Sequence, residues 1–292
     1  MDTRILRYFL AVAREKNITR AAEILHISQP SLSKQLMDFE EQLGKKLFIR
    51  GKRKITLTEE GALLSKRAEE IIMLLEKTEQ EITSDSKIIN GNISIGGGIG
   101  LNSITKTASN LVSRYPEIRY DLISCDAEEA MERLDNGTLD FGILIEPVDV
   151  LKYEYISLPE VNNWGLLMRK DSLLAENNSV SQEDIKDFPL IIPKRTELQR
   201  ELSRWMQKDI LNFNVIGTYN LLFSNTSLFV KNGLGYAFSL DKLLYLEENS
   251  ELCFRPFNPR IEVKFCIAWK KYRTLSKTAE KFAEEIKKTS SL

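Results

Sequence analysis

Histidine is almost missing from this 292-residue chain: His26 stands alone. That removes Ser/His/Asp and Cys/His catalytic arrangements and any histidine-cluster metal site. Cysteine is scarce as well. Cys125, Cys253 and Cys266 are odd in number, widely spaced and free of any C-x-x-C pattern, which argues against a disulfide framework or a cysteine metal centre. Each reads as a small buried hydrophobe. No apolar run approaches the length needed to span a bilayer. The N-terminus, MDTRILRYFL, lacks the apolar core and small-residue cleavage site of a signal peptide, so the expectation is a cytoplasmic protein with no membrane partner. Net charge is nearly absent too, at −1.

That near-zero charge hides an asymmetry. Residues 1–58 hold twelve Lys/Arg against six Asp/Glu, a surplus of +6; the chain totals of 41 and 42 leave 29 and 36 for residues 59–292, a balance of −7. A basic head on an acidic body points to one module that meets a phosphate backbone and a second with another task.

The head contains NITRAAEILHISQPSLSKQLMDFEEQLGKKLFIR, residues 17–50. Asn17 or Thr19 can cap a helix by accepting an N–H of its first turn. Ala21, Ala22 and Leu25 give that helix a face of mostly small residues. His26 and Ile27 fall in a turn. Ser28 is a capping residue for the next helix, and Pro30 is tolerated in a first turn. Leu32, Leu36, Phe39 and Leu43 then form a buried stripe, and Gly44 ends the helix. Gln29, Ser31, Ser33, Lys34 and Gln35 lie opposite, at the end where a recognition helix meets base edges. Residues 47–50 and 55–58 read as two short strands flanking the basic tip Gly51-Lys52-Arg53-Lys54, a wing. A helical hairpin with a polar outer face is the plain alternative.

Ala21-Ala22-x-x-Leu25, Ser28-Gln29-Pro30-Ser31-Leu32-Ser33, Leu43-Gly44-x-x-Leu47-Phe48-x-Arg50 and Leu57-Thr58-x-x-Gly61 match at fixed spacing over about sixty residues. In this the chain resembles the LysR-type transcriptional regulators. The resemblance implies a winged helix-turn-helix DNA-binding domain, a long linker helix, and an α/β two-lobed effector domain like a type 2 periplasmic binding protein. It also implies a homodimer or homotetramer on a double-stranded operator, a small-molecule effector, no enzymatic activity, and RNA polymerase as a further partner.

The rest of the chain fits that organisation. Residues 2–14 read as a first helix with Leu6, Phe9, Leu10 and Ala13 inward. A helix opened by Thr58 runs to about Thr83, with Leu64, Ala68, Ile71, Leu75, Thr78 and Ile82 at heptad spacing. Ile72, Met73 and Leu74 widen its apolar face, so a dimerisation helix is expected, with a helix packed on its own domain as the alternative. Residues 84–92 form a polar break. Strands at 93–96, 119–123 and 141–145 alternate with helices at 102–114 and 127–136, a parallel α/β pattern. A second series follows: strand 164–169, helix 182–186, strand 190–192, helix 197–211, strand 214–218, a short helix near 227–231, strand 236–239, strand 263–269 and helix 276–288. The expected domains are 1–58 for DNA, 59–90 for linker and hinge, and 91–292 for effector. Lobe I covers about 91–161 plus 267–292, and lobe II about 162–266.

The DNA-binding candidates are Thr19, Arg20, Gln29, Pro30, Ser31, Ser33, Lys34, Lys52, Arg53 and Lys54. Glutamine suits adenine and lysine suits guanine in the major groove, Thr19 and Arg20 suit phosphate, and the wing tip suits a minor groove or the backbone. Gly96-Gly97-Gly98-Ile99-Gly100 joins a strand to a helix but is not G-x-G-x-x-G, so no dinucleotide cofactor is expected. That loop, through Gly97, Gly98, Gly100, Asn102 and Ser103, can hold an anionic group on backbone N–H groups. The resemblance sets it in an effector cleft, facing Lys194, Arg195 and Thr196 and then Ser224, Asn225 and Thr226. Two cations with hydroxyls favour a small carboxylate or phosphate; ordinary surface-loop charge is the alternative for Lys194 and Arg195. No metal is expected. Two other readings remain: an α/β solute-binding or enzymatic domain with a helical appendage, and a structural nucleic-acid binder without a ligand.

Overall fold

The computed structural model describes residues 2–51, 54–83, 89–98, 101–220, 226–243 and 250–290. It divides into two compact units, Met1–Ser86 and Lys87–Leu292.

In the first unit, α1 (Thr3–Glu15), α2 (Ile18–Ile24) and α3 (Gln29–Leu43) are followed by β1 (Phe48–Arg50), β2 (Ile55–Leu57) and α4 (Glu59–Thr83). Local chemistry fixes each start. The Asn17 carboxamide oxygen accepts the Thr19 and Arg20 N–H groups at 2.9 and 3.1 Å, so Asn17 rather than Thr19 is the cap of α2. Ser28 Oγ accepts the Ser31 N–H at 3.3 Å, and Gly44 closes α3 in the left-handed conformation at φ 65°. His26, in the intervening turn, is exposed and also left-handed, at φ 53°.

The core comprises Leu6, Phe9, Val12, Ala21, Ala22, Leu32, Leu36, Phe39, Leu47, Phe48, Ala68 and Ile72. Three expectations change. In α1, Val12 is buried, whereas Leu10 and Ala13 are only half-buried. In α3, Leu43 is exposed and Glu40 takes the buried place, because its carboxylate has partners described below. In α4, the heptad stripe is not one seam: Ala68 and Ile72 pack inside this unit, while Leu63, Ile71, Met73, Leu74 and Ile82 stay exposed. Gly61 explains the last piece of the sequence signature. A Cβ there would lie 2.1 Å from the Leu47 carbonyl oxygen. The first turn of α4 therefore lies directly on the backbone entering the wing, where Thr58 Oγ1 donates to Lys46 O at 2.7 Å and accepts the Gly61 N–H at 2.9 Å.

The second unit runs β3 (Gly91–Gly97), α5 (Asn102–Arg114), β4 (Ile118–Ser124), α6 (Ala127–Asn136), β5 (Phe141–Ile145), β6 (Tyr153–Arg169), α7 (Gln182–Ile185), β7 (Leu190–Pro193), α8 (Thr196–Met206), β8 (Val215–Tyr219), α9 (Thr226–Lys231), β9 (Tyr236–Leu240), β10 (Leu252–Pro256), β11 (Glu262–Lys270) and α10 (Lys277–Ser290). Its sheet has the order β4-β3-β5-β11-β6-β9-β7-β8, with β10 also on β6. β3 pairs in parallel with β4 and β5, and β7 in parallel with β8 and β9, so each half is an α/β unit of the expected kind. Antiparallel β11 and β6 join the halves in the middle.

The strand expected at 164–169 is only the end of the 17-residue β6, which is continuous through residues 161 and 162. It pairs with β11 over residues 153–163, then with β9 and β10. Its register shifts opposite Lys264 and Cys266, and Pro159, which has no N–H to give, lies in that irregular segment. β10 has no counterpart among the expected strands. The helix expected to reach Leu211 ends at Met206, where Gln207 turns left-handed at φ 56°.

Candidate nucleic-acid interface and ligand cavity

Glu40 positions the wing. Its Oε1 accepts the Leu47 and Phe48 N–H groups at 2.8 and 3.1 Å, and Oε2 accepts Lys46 Nζ at 3.0 Å. Burial pushes this carboxyl up, but the Leu47 N–H, the Lys46 ammonium and the Phe48 N–H outweigh it and hold its pKa below the usual range. α3 is thereby tied to the first residues of the β1–β2 hairpin, whose register is Phe48↔Leu57, Ile49↔Thr56 and Arg50↔Ile55. Gly51 N–H donates to Lys54 O at 3.1 Å near the tip.

The first two turns of α3 carry Gln29, Pro30, Ser31, Ser33 and Lys34; Pro30, Ser31 and Lys34 are exposed, Gln29 and Ser33 half-buried. Gln35 Nε2 donates to Ser31 Oγ at 3.3 Å, so Gln35 belongs with this polar surface. Thr19 and Arg20 are exposed in the first turn of α2, where Arg20 Nε meets Glu15 Oε2 at 2.8 Å. Lys54 is exposed; Lys52 and Arg53 lie outside the described residues. Small and forked donors at a capped helix start, with cations nearby, suit base edges and phosphates together.

In the second unit a cavity of about 250 Å³ opens beyond the carboxyl ends of the parallel strands. Ligands in open α/β sheets take that position. Of the expected effector residues, Gly98, Lys194, Arg195 and Thr196 line it. Gly97, Asn102, Ser103 and Thr226 are not among its lining, and Gly100, Ser224 and Asn225 lie outside the described residues. Ser103 has a different partner. Its N–H donates to Glu160 Oε1 at 2.7 Å and its hydroxyl to Oε2 at 2.9 Å. Ser103, where an anion was expected, thus holds an internal carboxylate from the irregular segment of β6, so the expected role of Ser103 is corrected. Thr226 is buried at the start of α9.

Asp126, Tyr219, Asn220 and Phe265 line the cavity without having been singled out, and so do Cys125, expected to be only a small buried hydrophobe, and Glu128, whose run reads as a solvated helix face. Cys125, Asp126, Tyr219 and Asn220 follow or end β4 and β8, so the strand-end rule applied to every strand would have found them. Asp126 caps α6 through the Glu129 N–H at 3.0 Å, and Asn220 Nδ2 donates to its other oxygen at 3.2 Å, bridging the two halves. Tyr219 donates its hydroxyl to Phe238 O at 2.7 Å. Burial pushes the Cys125 thiol up, away from the thiolate form that a nucleophile needs. Among the described residues no group of three or more His, Cys, Asp or Glu could hold a metal ion, and no helix is long and apolar enough to cross a membrane.

Residues 3–62 match the family described as bacterial regulatory helix-turn-helix protein, lysR family, and residues 91–291 match the LysR substrate binding domain. The HTH-type transcriptional regulator BsdA of Bacillus subtilis (strain 168) is 31% identical over 196 residues, 66% of this chain and 67% of that one. The Hca operon transcriptional activator HcaR of Escherichia coli (strain K12) is 35% identical over 162 residues; the chain spans 54% of its length, and the match takes in 54% of this chain. The structure of CbnR, a LysR family transcriptional regulator, shares the fold at a TM-score of 0.77 over 99% of both chains, with 17% identity. Another structure, of full-length CbnR with its target DNA, gives 0.76 at 18% identity, covering 99% and 100%. Nothing here supports a solute-binding module or an enzyme with a helical appendage. With regulator matches in both of its units, the chain belongs to the LysR family: it is a DNA-binding transcriptional regulator with a substrate-binding domain, not an enzyme.

Proposed function

We propose that α3 lies in the major groove of an operator, with Gln29, Ser31, Ser33 and Lys34 on base edges and Pro30 setting the helix entry. Thr19 and Arg20 hold phosphates, and Lys52, Arg53 and Lys54 track the flanking backbone or minor groove. The observation that carries this is the Ser28-capped, polar start of α3, exposed in a unit whose wing is fixed by Glu40. The exposed apolar residues of α4 support its use as a pairing helix, giving a homodimer or homotetramer whose two-fold symmetry matches a dyad operator. The protein works in the cytoplasm, with RNA polymerase as a further partner.

In this reading the cavity takes a small-molecule effector. An effector that binds one arrangement of the halves more tightly shifts the population of DNA-bound assemblies. The direct test is selection of duplexes from a random pool by the full-length protein. A dyad-symmetric consensus is expected. Enrichment without a consensus, or the same consensus with the same discrimination from Gln29→Ala, would place the recognition helix elsewhere. Light scattering of the selected complex distinguishes dimer from tetramer.

A further inference from the structure

The cavity receives its two signs of charge from opposite halves of the unit. Asp126 and Glu128 come from the end of β4 and the first turn of α6, Lys194 and Arg195 from the turn between β7 and α8. Backbone donors divide the same way. In the first turn of α6 Asp126 takes the Glu129 N–H, and in that of α5 Glu160 takes the Ser103 N–H. α8 has Arg195 at its N-cap with no side-chain capping bond; the Glu197 carboxylate takes its own N–H, and the other first-turn donors remain. An anionic group is therefore received on the α8 side and opposed on the α6 side.

Two of these charges are unmatched. Arg195 Nε meets Glu197 at 3.2 Å and Asp126 has the two bonds already described, but Glu128 and Lys194 make no ion pair among the described residues. Opposite charges that line one cavity without meeting leave a gap that a dipolar molecule closes. Between them the lining is apolar: Ile143, Ile145, Leu198 and Phe265, with Tyr219, whose hydroxyl is engaged by Phe238 O.

Resting on the reading of this cavity as the effector site, we propose that its ligand is an amino acid with an aliphatic or aromatic body. Its carboxylate meets Lys194 and the start of α8, and its ammonium meets Glu128. Neither half of that molecule satisfies the cavity: a bare carboxylate leaves the acidic wall facing apolar matter, and a bare amine leaves Lys194 unmatched.

The test titrates the full-length protein with matched triplets, followed by thermal shift and calorimetry. L-leucine is compared with isocaproate, which lacks the ammonium, and isoamylamine, which lacks the carboxylate. L-phenylalanine is compared with hydrocinnamate and phenethylamine, and the other apolar L-amino acids are screened beside them. At least one amino acid is expected to bind, with each of its halves on the order of tenfold weaker or worse. Glu128→Gln is expected to abolish the preference for the amino acid over its des-amino analogue and leave the analogue's affinity unchanged. Lys194→Met should do the same for the amine. Both side chains are exposed, so the melting temperature without ligand serves as the folding control. A des-amino acid that binds as tightly as its amino acid overturns the proposal, as does a preference that survives Glu128→Gln, or the absence of binding by every amino acid. Benzoate, succinate and inorganic phosphate run in parallel. Binding by any of them alone preserves the effector cavity while sinking the dipolar ligand, whereas silence from all compounds sinks both.

Discussion

Glu40→Ala removes the acceptor for two buried backbone donors at once. Leu47 and Phe48 are buried, and both N–H groups end on the same carboxylate oxygen of a residue only 2% exposed. An orphaned buried donor costs about 1–3 kcal/mol, so the pair puts Glu40→Ala at about 2–6 kcal/mol. Glu40→Gln is milder. Its amide oxygen can keep both N–H bonds, and the other position gives up only Lys46, whose side chain is 75% exposed and contributes little. Weaker acceptance by a neutral amide leaves a cost of about 1–2 kcal/mol. The carboxyl's lowered pKa adds a pH signature. Its contribution is complete above the unfolded carboxylate value, about 4.3, and fades as pH falls towards the lower folded value. Glu40→Gln should flatten that part of the stability profile. Trp164, Trp205 and Trp269 all lie in the other unit, so fluorescence would miss the effect. Amide hydrogen exchange of the residue 44–50 segment reports it directly, together with the affinity for selected DNA, which should drop because β1 begins at Phe48. Equal costs for Ala and Gln, or no change in exchange at Leu47 and Phe48, would refute the wing-tether account.

Gln29→Ala and Lys34→Ala should relax base preference by about 1–3 kcal/mol per bidentate pairing removed, whereas Lys54→Ala should weaken all sequences alike and lower the salt slope by about one; titrations at several salt concentrations separate the two outcomes. Gly61→Ala should destabilise the first unit by about 1–3 kcal/mol, because the new Cβ meets a backbone oxygen that cannot rotate away; hydrogen exchange in α4 checks it. Glu285, held at about 2 chiefly by Arg114 and then Lys288, ties α10 to α5. Its folded value is lowered, so its stabilisation is present above about pH 4.3 and is lost towards pH 2; Glu285→Gln should narrow the difference in melting temperature between about pH 5 and pH 3.

What could be read from the chain was whatever local chemistry determines. The caps Asn17 and Ser28, the stop at Gly44 and the bounds of α4, α5, α6 and β5 follow from side chains within a turn of the backbone they serve. The first eleven residues of β6, 153–163, escaped because their partners on β11 are about a hundred positions away, and Pro159 in their midst is a poor strand signal until the register irregularity that accommodates it is known. β10 pairs with β6, itself remote in sequence, and escaped for the same reason. The cavity divides along similar lines. Lys194, Arg195 and Thr196 were legible because a strand-to-helix turn announces itself, whereas Glu160 reaches the start of α5 from 57 positions away. That single carboxylate changes the chemistry of the site, since the Ser103 N–H and hydroxyl, which were expected to hold an anion from the first half, are already engaged. Charge counted along the sequence says two cations and some hydroxyls; charge placed by the fold says a cationic wall facing an acidic one. The ligand class therefore rests on tertiary neighbours, and the family signature, which ends at Gly61, carries no information about them.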